Sequence, residues 1–380
     1  MSRDGSGTTR RGFIGAAAMA GMAGLLSSVA GAAASERAPL WRHAAEKGIV
    51  YGAACSTDTY EDDAPFRKVL LKETRLLAAE NDFLWYKVRP NLETFDFSYA
   101  DRLARFARSN GKLLYCTHLV WHFALAQGTE EAVRASPDPE GVMVEHIERV
   151  AGRYRGRVWA WNVVNEAVEP NDGREDGLRN TFWLDTVGTG YIETAFRAAR
   201  KADPNALLVY NDYALESDAR RREACLRLLD RLLSAGAPID ALGTQSHLGL
   251  WSLPLDAGYK TFLRRVGEMG LKIVVSELDV VDVGAPSEPA RRDRAVARVY
   301  REYLDLVLRE RAVDAVITWG LSDRYSWLAD PSLAPWAQRE DGLPPRPLPL
   351  GPALGRKPAW RATAGAFDDA RRRMGSRDDS

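Results

Sequence analysis

The chain has 380 residues, of which 46% are hydrophobic and 27% charged, a composition typical of a globular protein. Its 52 basic and 52 acidic side chains cancel, so no excess charge favours nucleic acid or an acidic membrane surface as a partner. The composition is therefore more consistent with a neutral ligand.

The first 34 residues have the order of an export signal. Thr9-Arg10-Arg11-Gly12-Phe13-Ile14 is a twin-arginine pattern, an apolar stretch runs from Gly15 to Ala30, and small residues follow. A membrane anchor is the alternative, but the apolar stretch is shorter than the roughly 20 residues of a spanning helix. We predict an export signal at 1–34, a periplasmic or secreted protein, and no stable membrane association after the signal is removed.

The three cysteines, Cys55, Cys116 and Cys225, lack the spacing of a metal site, and an odd number leaves at least one thiol unpaired. Twin-arginine export carries proteins that have already folded in the cytoplasm, so disulfides are not expected to be needed. We expect three buried free thiols and no metal.

Helical stretches and apolar strands alternate along the rest of the chain. The helices predicted at Asp101–Ser109, Asp218–Ser234 and Lys260–Glu268 are each followed by a glycine and then a strand, which indicates βαβ units. Eight candidate strands begin near Val50, Phe83, Lys112, Val158, Leu207, Ala241, Lys272 and Ala315.

These intervals predict a (β/α)8 TIM barrel, a single α/β domain over residues 35–368. An open doubly wound sheet is the alternative, but no Gly-x-Gly-x-x-Gly turn follows the first strand. The proline-rich stretch 330–358 is interpreted as a loop after the eighth strand, 358–367 as the closing helix, and 369–380 as a disordered tail.

Two of the apolar strands end on a glutamate. Glu166 closes the predicted fourth strand and Glu277 the seventh, so the barrel should place both at one mouth. Paired carboxyl groups are the minimum equipment for cleaving a glycosidic bond, one as acid/base and one as nucleophile. The alternative for a buried glutamate is a structural salt bridge.

The two roles need different surroundings. The acid/base needs a raised pKa, and we expect Trp159 and Trp161 to desolvate Glu166 for that purpose. The nucleophile must stay ionised, and His247 on the neighbouring strand is a candidate partner for Glu277.

Nine stretches between residues 45 and 368 occur in the order typical of one family. They are Glu80-Asn81, Leu119–His122, Trp161–Ala167, Phe182–Leu184, Tyr191–Arg200, Tyr210–Tyr213, Gln245–His247, Ser276–Asp279 and Trp319–Trp327. On these stretches the chain resembles glycoside hydrolase family 10, the endo-1,4-β-xylanase family.

The resemblance implies a retaining endo-1,4-β-xylanase that cleaves xylan or xylo-oligosaccharides, with no cofactor, and we expect a monomer. By resemblance Glu166 is the acid/base, Glu277 the nucleophile, Asn165 the partner of the sugar 2-hydroxyl and His247 the support of the nucleophile. The other implied substrate-binding residues are Glu80, Asn81, Trp121, His122, Tyr213, Gln245, Trp319 and Trp327. The alternatives are a hydrolase or transglycosylase of another or decorated β-glycoside, and a non-catalytic carbohydrate-binding protein on the same fold.

Three departures from the family pattern fall on the wall that holds the non-reducing-side (glycone) sugars. Where the family pattern has a lysine, this chain has Leu84. The family's His-Thr pair is inverted to Thr117-His118, and its Ser-Gln pair is replaced by Phe123-Ala124. Because side chains alternate along a strand, the inversion is expected to turn the histidine away from the cleft. We predict weakened or altered glycone recognition, with Lys87 or Arg89 as candidates to replace the lost ammonium.

Overall fold

The computed structural model describes residues 38–373, and from Leu40 onward these belong to one compact unit. Its strands are β1 (Val50–Cys55), β2 (Leu76–Ala79), β3 (Leu113–Cys116), β4 (Ala160–Asn165), β5 (Leu207–Asp212), β6 (Ala241–Thr244), β7 (His247–Gly249), β8 (Lys272–Val281) and β9 (Val313–Thr318).

Eight of these strands close into a parallel barrel. Each of β1 to β5 pairs with the next strand, β6 pairs with β8, β8 pairs with β9, and β9 pairs with β1. The short β7 continues the chain beyond β6 and pairs with the far end of β8. The predicted (β/α)8 barrel is confirmed, with β8 as its seventh strand.

Helices lie between the barrel strands. They are α1 (Leu40–Ala45), α2 (Thr57–Asp62), α3 (Ala64–Glu73), α4 (Trp85–Val88), α5 (Ser98–Ser109), α6 (Thr129–Ala135), α7 (Pro139–Arg153), α8 (Phe182–Val187), α9 (Tyr191–Ala202), α10 (Ala219–Ser234), α11 (Ala257–Glu268), α12 (Pro289–Val307) and α13 (Pro358–Asp369). Short 3-10 turns occupy Pro170–Asp172, Leu250–Ser252, Asp323–Tyr325, Trp327–Ala329 and Pro335–Ala337.

The helix α10 shows how the sequence sets these boundaries. The Asp218 carboxylate accepts hydrogen bonds from the backbone N–H groups of Arg220 and Arg221, which caps the first turn. The helix ends just before Gly236, whose φ of 67° is the left-handed conformation that glycine adopts at little cost. The predicted cadence of helix, glycine and strand is confirmed here.

The prediction for the second strand was wrong. Its predicted start near Phe83 lies after β2, which is the four-residue run Leu76-Leu-Ala-Ala79. Phe83 instead packs edge-on against Tyr154 and Trp161 in the layer between barrel and helices. A four-residue strand of leucine and alanine has no periodicity that separates it from the end of the preceding helix.

The core has two layers. Inside the barrel, small and branched side chains pack with Tyr115 and Trp319, whereas a larger cluster fills the space between strands and helices. The three cysteines are buried and free, as predicted. The interior is therefore filled, and chemistry is left to the ends of the strands.

The predicted export signal at 1–34 lies outside the described residues. Within 38–373 no helix is both long enough and apolar enough to span a membrane. Of the predicted tail at 369–380, residues 374–380 also lie outside the described residues. Asp369 ends α13 and pairs with Arg301 at 2.5 Å. Arg373 donates its backbone N–H to the carbonyl of Lys47 and its guanidinium to that of Glu310.

Candidate active site

Glu166 directly follows β4 and Glu277 lies within β8, and the pairing of each strand is irregular near its glutamate. The pairing of β4 with β5 shifts register between Asn162 and Val164, and that of β8 with β9 shifts between Val275 and Leu278. Such irregularities re-aim side chains beside active sites. Glu166 itself has a φ of 57°, a left-handed conformation that is costly for a residue with a Cβ.

Three donors hold the Glu166 carboxyl group. Gln245 Nε2 lies 2.9 Å and Asn165 Nδ2 3.2 Å from Oε1, and Trp121 Nε1 lies 3.1 Å from Oε2. Burial nevertheless outweighs these hydrogen bonds and, with the charges of Asp212 and Glu277, raises the pKa of Glu166 to about 7. Glu166 can therefore exchange a proton near neutral pH.

Glu277 is buried and has two different partners. Asn211 Nδ2 donates to Oε1 at 2.7 Å, and His247 Nε2 lies 3.3 Å from Oε2. The other imidazole nitrogen, Nδ1, lies 2.9 Å from Asp279. Burial alone lowers the pKa of His247, but Asp279 and Glu277 outweigh it and raise that pKa to about 10. The imidazolium thus stays charged at neutral pH and places a positive charge beside the Glu277 carboxyl group.

Two amides connect the glutamates. Asn211 Nδ2 also donates to Asn165 Oδ1 at 2.9 Å, while Asn165 donates to Glu166. The path from Glu277 to Glu166 therefore runs through two side chains only. The structure brings these two predicted residues into one cleft, together with the predicted Asn165, Gln245 and His247.

The predicted aromatic residues divide into two kinds. Trp327 lies beside the cleft, with its ring 5.0 Å from that of His247 and its Nε1 donating to Asp279 at 2.8 Å. Trp319 is 8% exposed and packs in the barrel interior, so little of its ring is open. Tyr213 is linked to Glu166 through Arg179, which donates to the Tyr213 hydroxyl and to the backbone carbonyl of Glu166, each at 2.8 Å.

The remaining predicted residues lie along the β2 and β3 ends. Burial and the charge of Asp82 raise the pKa of Glu80 to about 7. Asn81 accepts a hydrogen bond from Lys87 Nζ at 2.9 Å. His122 has no hydrogen-bond partner for Nε2 within residues 38–373, and burial lowers its pKa to about 3.

Two expectations about neighbouring residues were wrong. Trp161 donates to Asp203 on the helix side of β4, and Trp159 precedes β4 at the end away from Glu166. Neither tryptophan therefore desolvates Glu166, and the aromatic side chain that contacts Glu166 is Trp121. His118 is not turned away from the catalytic network, since its Nδ1 lies 2.5 Å from Asn162 Nδ2 and its ring 4.8 Å from that of Trp121.

Sequence reasoning assigned no role in the site to two of its residues, Asn211 and Asp279. Asn211 orients Glu277, and its own Oδ1 accepts a hydrogen bond from Ser276 Oγ at 2.6 Å. Asp279 holds both His247 and Trp327. The positions of both residues in the sequence could have indicated these roles. Asn211 lies in the Tyr210–Tyr213 motif near a strand end, and Asp279 follows Glu277 by two residues on the same face of the strand.

Comparison with known proteins agrees with this geometry. The model of glycosyl hydrolase family 10 matches residues 40–366. The chain belongs to this family. Endo-1,4-beta-xylanase 1 of Humicola insolens is 32% identical over 312 residues, which covers 80% of this chain and 71% of the relative. A beta-1,4-xylanase of Dictyoglomus thermophilum is 33% identical over 277 residues, 69% of this chain and 75% of the relative.

A solved family 10 structure has the same fold. Xylanase 10B from Thermotoga petrophila RKU-1, crystallised in complex with xylobiose, superimposes with a TM-score of 0.79 at 28% identity and covers 87% of this chain and 98% of its own. Family 10 membership thus extends over the whole barrel described above.

Proposed function

We propose that the protein is a retaining endo-1,4-β-xylanase that cleaves xylan or xylo-oligosaccharides by double displacement. Glu277 is the nucleophile and Glu166 the acid/base. The observation that carries the proposal is the contrast between the surroundings of the two carboxyl groups. Burial raises the pKa of Glu166 to about 7, whereas Asn211 donates to Glu277 and the charged His247 lies 3.3 Å from it.

In the first step the Glu277 carboxylate attacks the anomeric carbon and forms a glycosyl ester. Glu166 gives its proton to the departing glycosidic oxygen, so the leaving sugar departs as a neutral alcohol. Asn165, which lies between both glutamates, is the proposed partner of the sugar 2-hydroxyl, and this hydrogen bond tightens in the transition state.

In the second step Glu166 acts as a base. It removes a proton from water, the water oxygen attacks the anomeric carbon, and the ester bond to Glu277 breaks with net retention. Hydrogen bonds from Gln245 and Trp121 favour the carboxylate form of Glu166 that this step requires. Burial thus raises the pKa of Glu166 and the two hydrogen bonds lower it. Both effects are needed, because Glu166 is protonated for the first step and ionised for the second.

Export by the twin-arginine route to the periplasm or the medium remains part of the proposal, as does a monomeric state. Xylan is a polymer outside the cell, so its hydrolase must reach it there. A fusion of residues 1–40 to a reporter tests the route, which predicts export that is lost when Arg10 and Arg11 are both changed to lysine.

The stereochemistry of hydrolysis tests the reaction. Proton NMR of xylotetraose hydrolysis should show the β-anomer first, with the α-anomer appearing only by mutarotation. Glu166→Gln and Glu277→Gln should each lower kcat on xylotetraose by about 10³-fold or more, while the exposed Glu340→Gln should not. Initial release of the α-anomer, or normal turnover by Glu277→Gln, would contradict the proposal.

A further inference from the structure

An exposed apolar surface lies beside the acid/base glutamate. Phe123 is 57% exposed and Tyr86 is 39% exposed. The backbone N–H of Tyr86 donates to the carbonyl of Ala124 at 3.1 Å, so the two ring-bearing segments are neighbours. These three residues, Tyr86, Phe123 and Ala124, are termed the aromatic wall.

Ring contacts connect the aromatic wall to the reacting group. The Phe123 ring lies 5.6 Å from that of Trp121 and 4.2 Å from that of His122. Trp121 in turn donates to Glu166. A sugar ring bound along Trp121 would therefore place a bulky substituent within reach of the open face of Phe123.

The two cationic side chains near this wall, Lys87 and Arg89, are held by other groups. Lys87 is held by Asn81 at 2.9 Å and Asp82 at 3.4 Å, and lies over the ring of Tyr99 at 4.2 Å. Its ammonium group donates to Asn81 and is therefore not free to take the place of the family lysine that Leu84 replaces.

Arg89 is also committed. Its guanidinium donates to the backbone carbonyls of Val142 and Leu92 and to Glu145, and its side chain is 1% exposed. The Thr117 hydroxyl donates to the carbonyl of Ala79. Neither cation is therefore open to a ligand, and the aromatic wall offers mainly exposed ring surface.

This combination selects among ligands. A bare sugar presents hydroxyl groups around its rim and needs donors and acceptors beside any stacking face, because unpaired polar groups are costly to bury. An aromatic acyl group presents a flat apolar face and gains from contact with exposed rings alone.

We propose that the aromatic wall is a subsite for an aromatic acyl ester carried by a glycone sugar of the xylan chain. The proposal rests on the xylanase function proposed above and names the decoration that the altered wall accepts. The ester stays intact while the glycosidic bond beside Glu166 is cleaved.

The test compares xylotriose with xylotriose that carries a cinnamoyl ester on its non-reducing sugar. The wild-type enzyme should show about tenfold higher kcat/KM on the ester, mainly through KM, and Phe123→Ser should remove most of that preference. The matched control is Leu333→Ser, which changes an apolar residue that is 60% exposed in the loop after β9 and should keep the preference. An unchanged ester-to-xylotriose ratio in Phe123→Ser would overturn the proposal.

Binding measurements separate this inference from the function on which it rests. Calorimetry with Glu277→Gln, alone and combined with Phe123→Ser, compares the affinities of the two trisaccharides without turnover. Tighter binding of the ester that depends on Phe123 would support the subsite even if the wild-type enzyme hydrolysed no xyloside. Such a lack of hydrolysis would contradict only the proposed reaction. Equal affinities for both trisaccharides would overturn the subsite even in an active xylanase.

Discussion

Glu166 is the residue at which burial and hydrogen bonding oppose one another most directly. Burial disfavours its charge, whereas Gln245 and Trp121 donate to the carboxylate and favour that charge. The balance gives a pKa of about 7. Glu166 therefore loses its proton as the pH rises through neutrality, and in its proposed role as general acid it can then no longer support the first step.

Removing one donor should shift that limit in a known direction. Gln245→Ala removes a hydrogen bond that lowers the pKa of Glu166, so the alkaline limb of the kcat/KM profile should move to higher pH by about half a unit to one unit. The pH profile on xylotetraose measures the shift separately from any loss in absolute rate. A limb that moves to lower pH would show that the limb does not report Glu166.

The same residue makes stability depend on pH. The folded state raises the pKa of Glu166 from 4.5 to about 7, so ionisation opposes folding. The penalty is absent below about pH 4.5 and complete above about pH 7. Glu166→Gln should therefore match the wild type near pH 4 and exceed it at pH 8 by about 1–2 kcal/mol, a discounted value because Glu166 is partly exposed.

Urea denaturation at both pH values measures this difference. The exposed glutamate in Glu340→Gln is the control and should show no gain at pH 8. Equal stability of Glu166→Gln and the wild type at pH 8 would contradict the assigned cause.

At the scale of elements, the strands meet closely enough to dictate side-chain size. An alanine Cβ at Gly243 on β6 would lie 2.2 Å from Asn211 Oδ1 and 3.1 Å from Val209 Cγ1. Neither atom is at the end of a long flexible side chain, so Asn211 must move. Its amide is the group that orients Glu277.

Gly243→Ala should therefore lower kcat on xylotetraose by about 10²-fold with a smaller effect on KM, since a misplaced nucleophile costs mainly in the chemical step. The matched control is Gly152→Ala in α7, where the new Cβ meets no atom within 4 Å and should stabilise the helix by about 0.5–1 kcal/mol. A Gly243→Ala enzyme with wild-type kcat would show that Asn211 does not position the nucleophile.

Elements also show what the sequence can and cannot predict. Glu166 and Glu277 were predictable, because each carboxylate ends an apolar run that strand periodicity and barrel topology place at one mouth. The position of β2 was not, since four small apolar residues carry no period. Trp121 comes from the segment after β3, and only tertiary packing decides that it, rather than Trp159 or Trp161, is the aromatic neighbour of Glu166.

At the scale of the whole molecule, buried ion pairs fasten the long loop after β9 onto α12. Lys357 is 4% exposed and its Nζ lies 2.8 Å from Asp323 and 3.3 Å from Asp293, while Arg346 makes two hydrogen bonds to Asp293. These contacts tie the proline-rich segment to α12 and to the 3-10 turn at Asp323–Tyr325. Ion pairs, rather than regular secondary structure, therefore hold this segment in place.

Lys357→Met should destabilise the protein by about 3 kcal/mol, because it leaves the Asp323 side chain, which is 3% exposed, without its cation. Thermal or urea unfolding measures the loss. The control is Lys201→Met, which removes an exposed pair with Glu148 and should have little effect. Similar stabilities for the two variants would show that the loop is held by other contacts.

The most direct test of the account is to trap the covalent intermediate. A 2-deoxy-2-fluoro-β-xylobioside with a good leaving group should form the glycosyl ester faster than water releases it, and peptide mapping by mass spectrometry then locates the sugar. We predict one xylobiosyl label per chain, on Glu277, formed much more slowly in Glu277→Gln. A label on another residue, or steady consumption of the reagent by a chain that never carries the sugar, would contradict the double displacement proposed here.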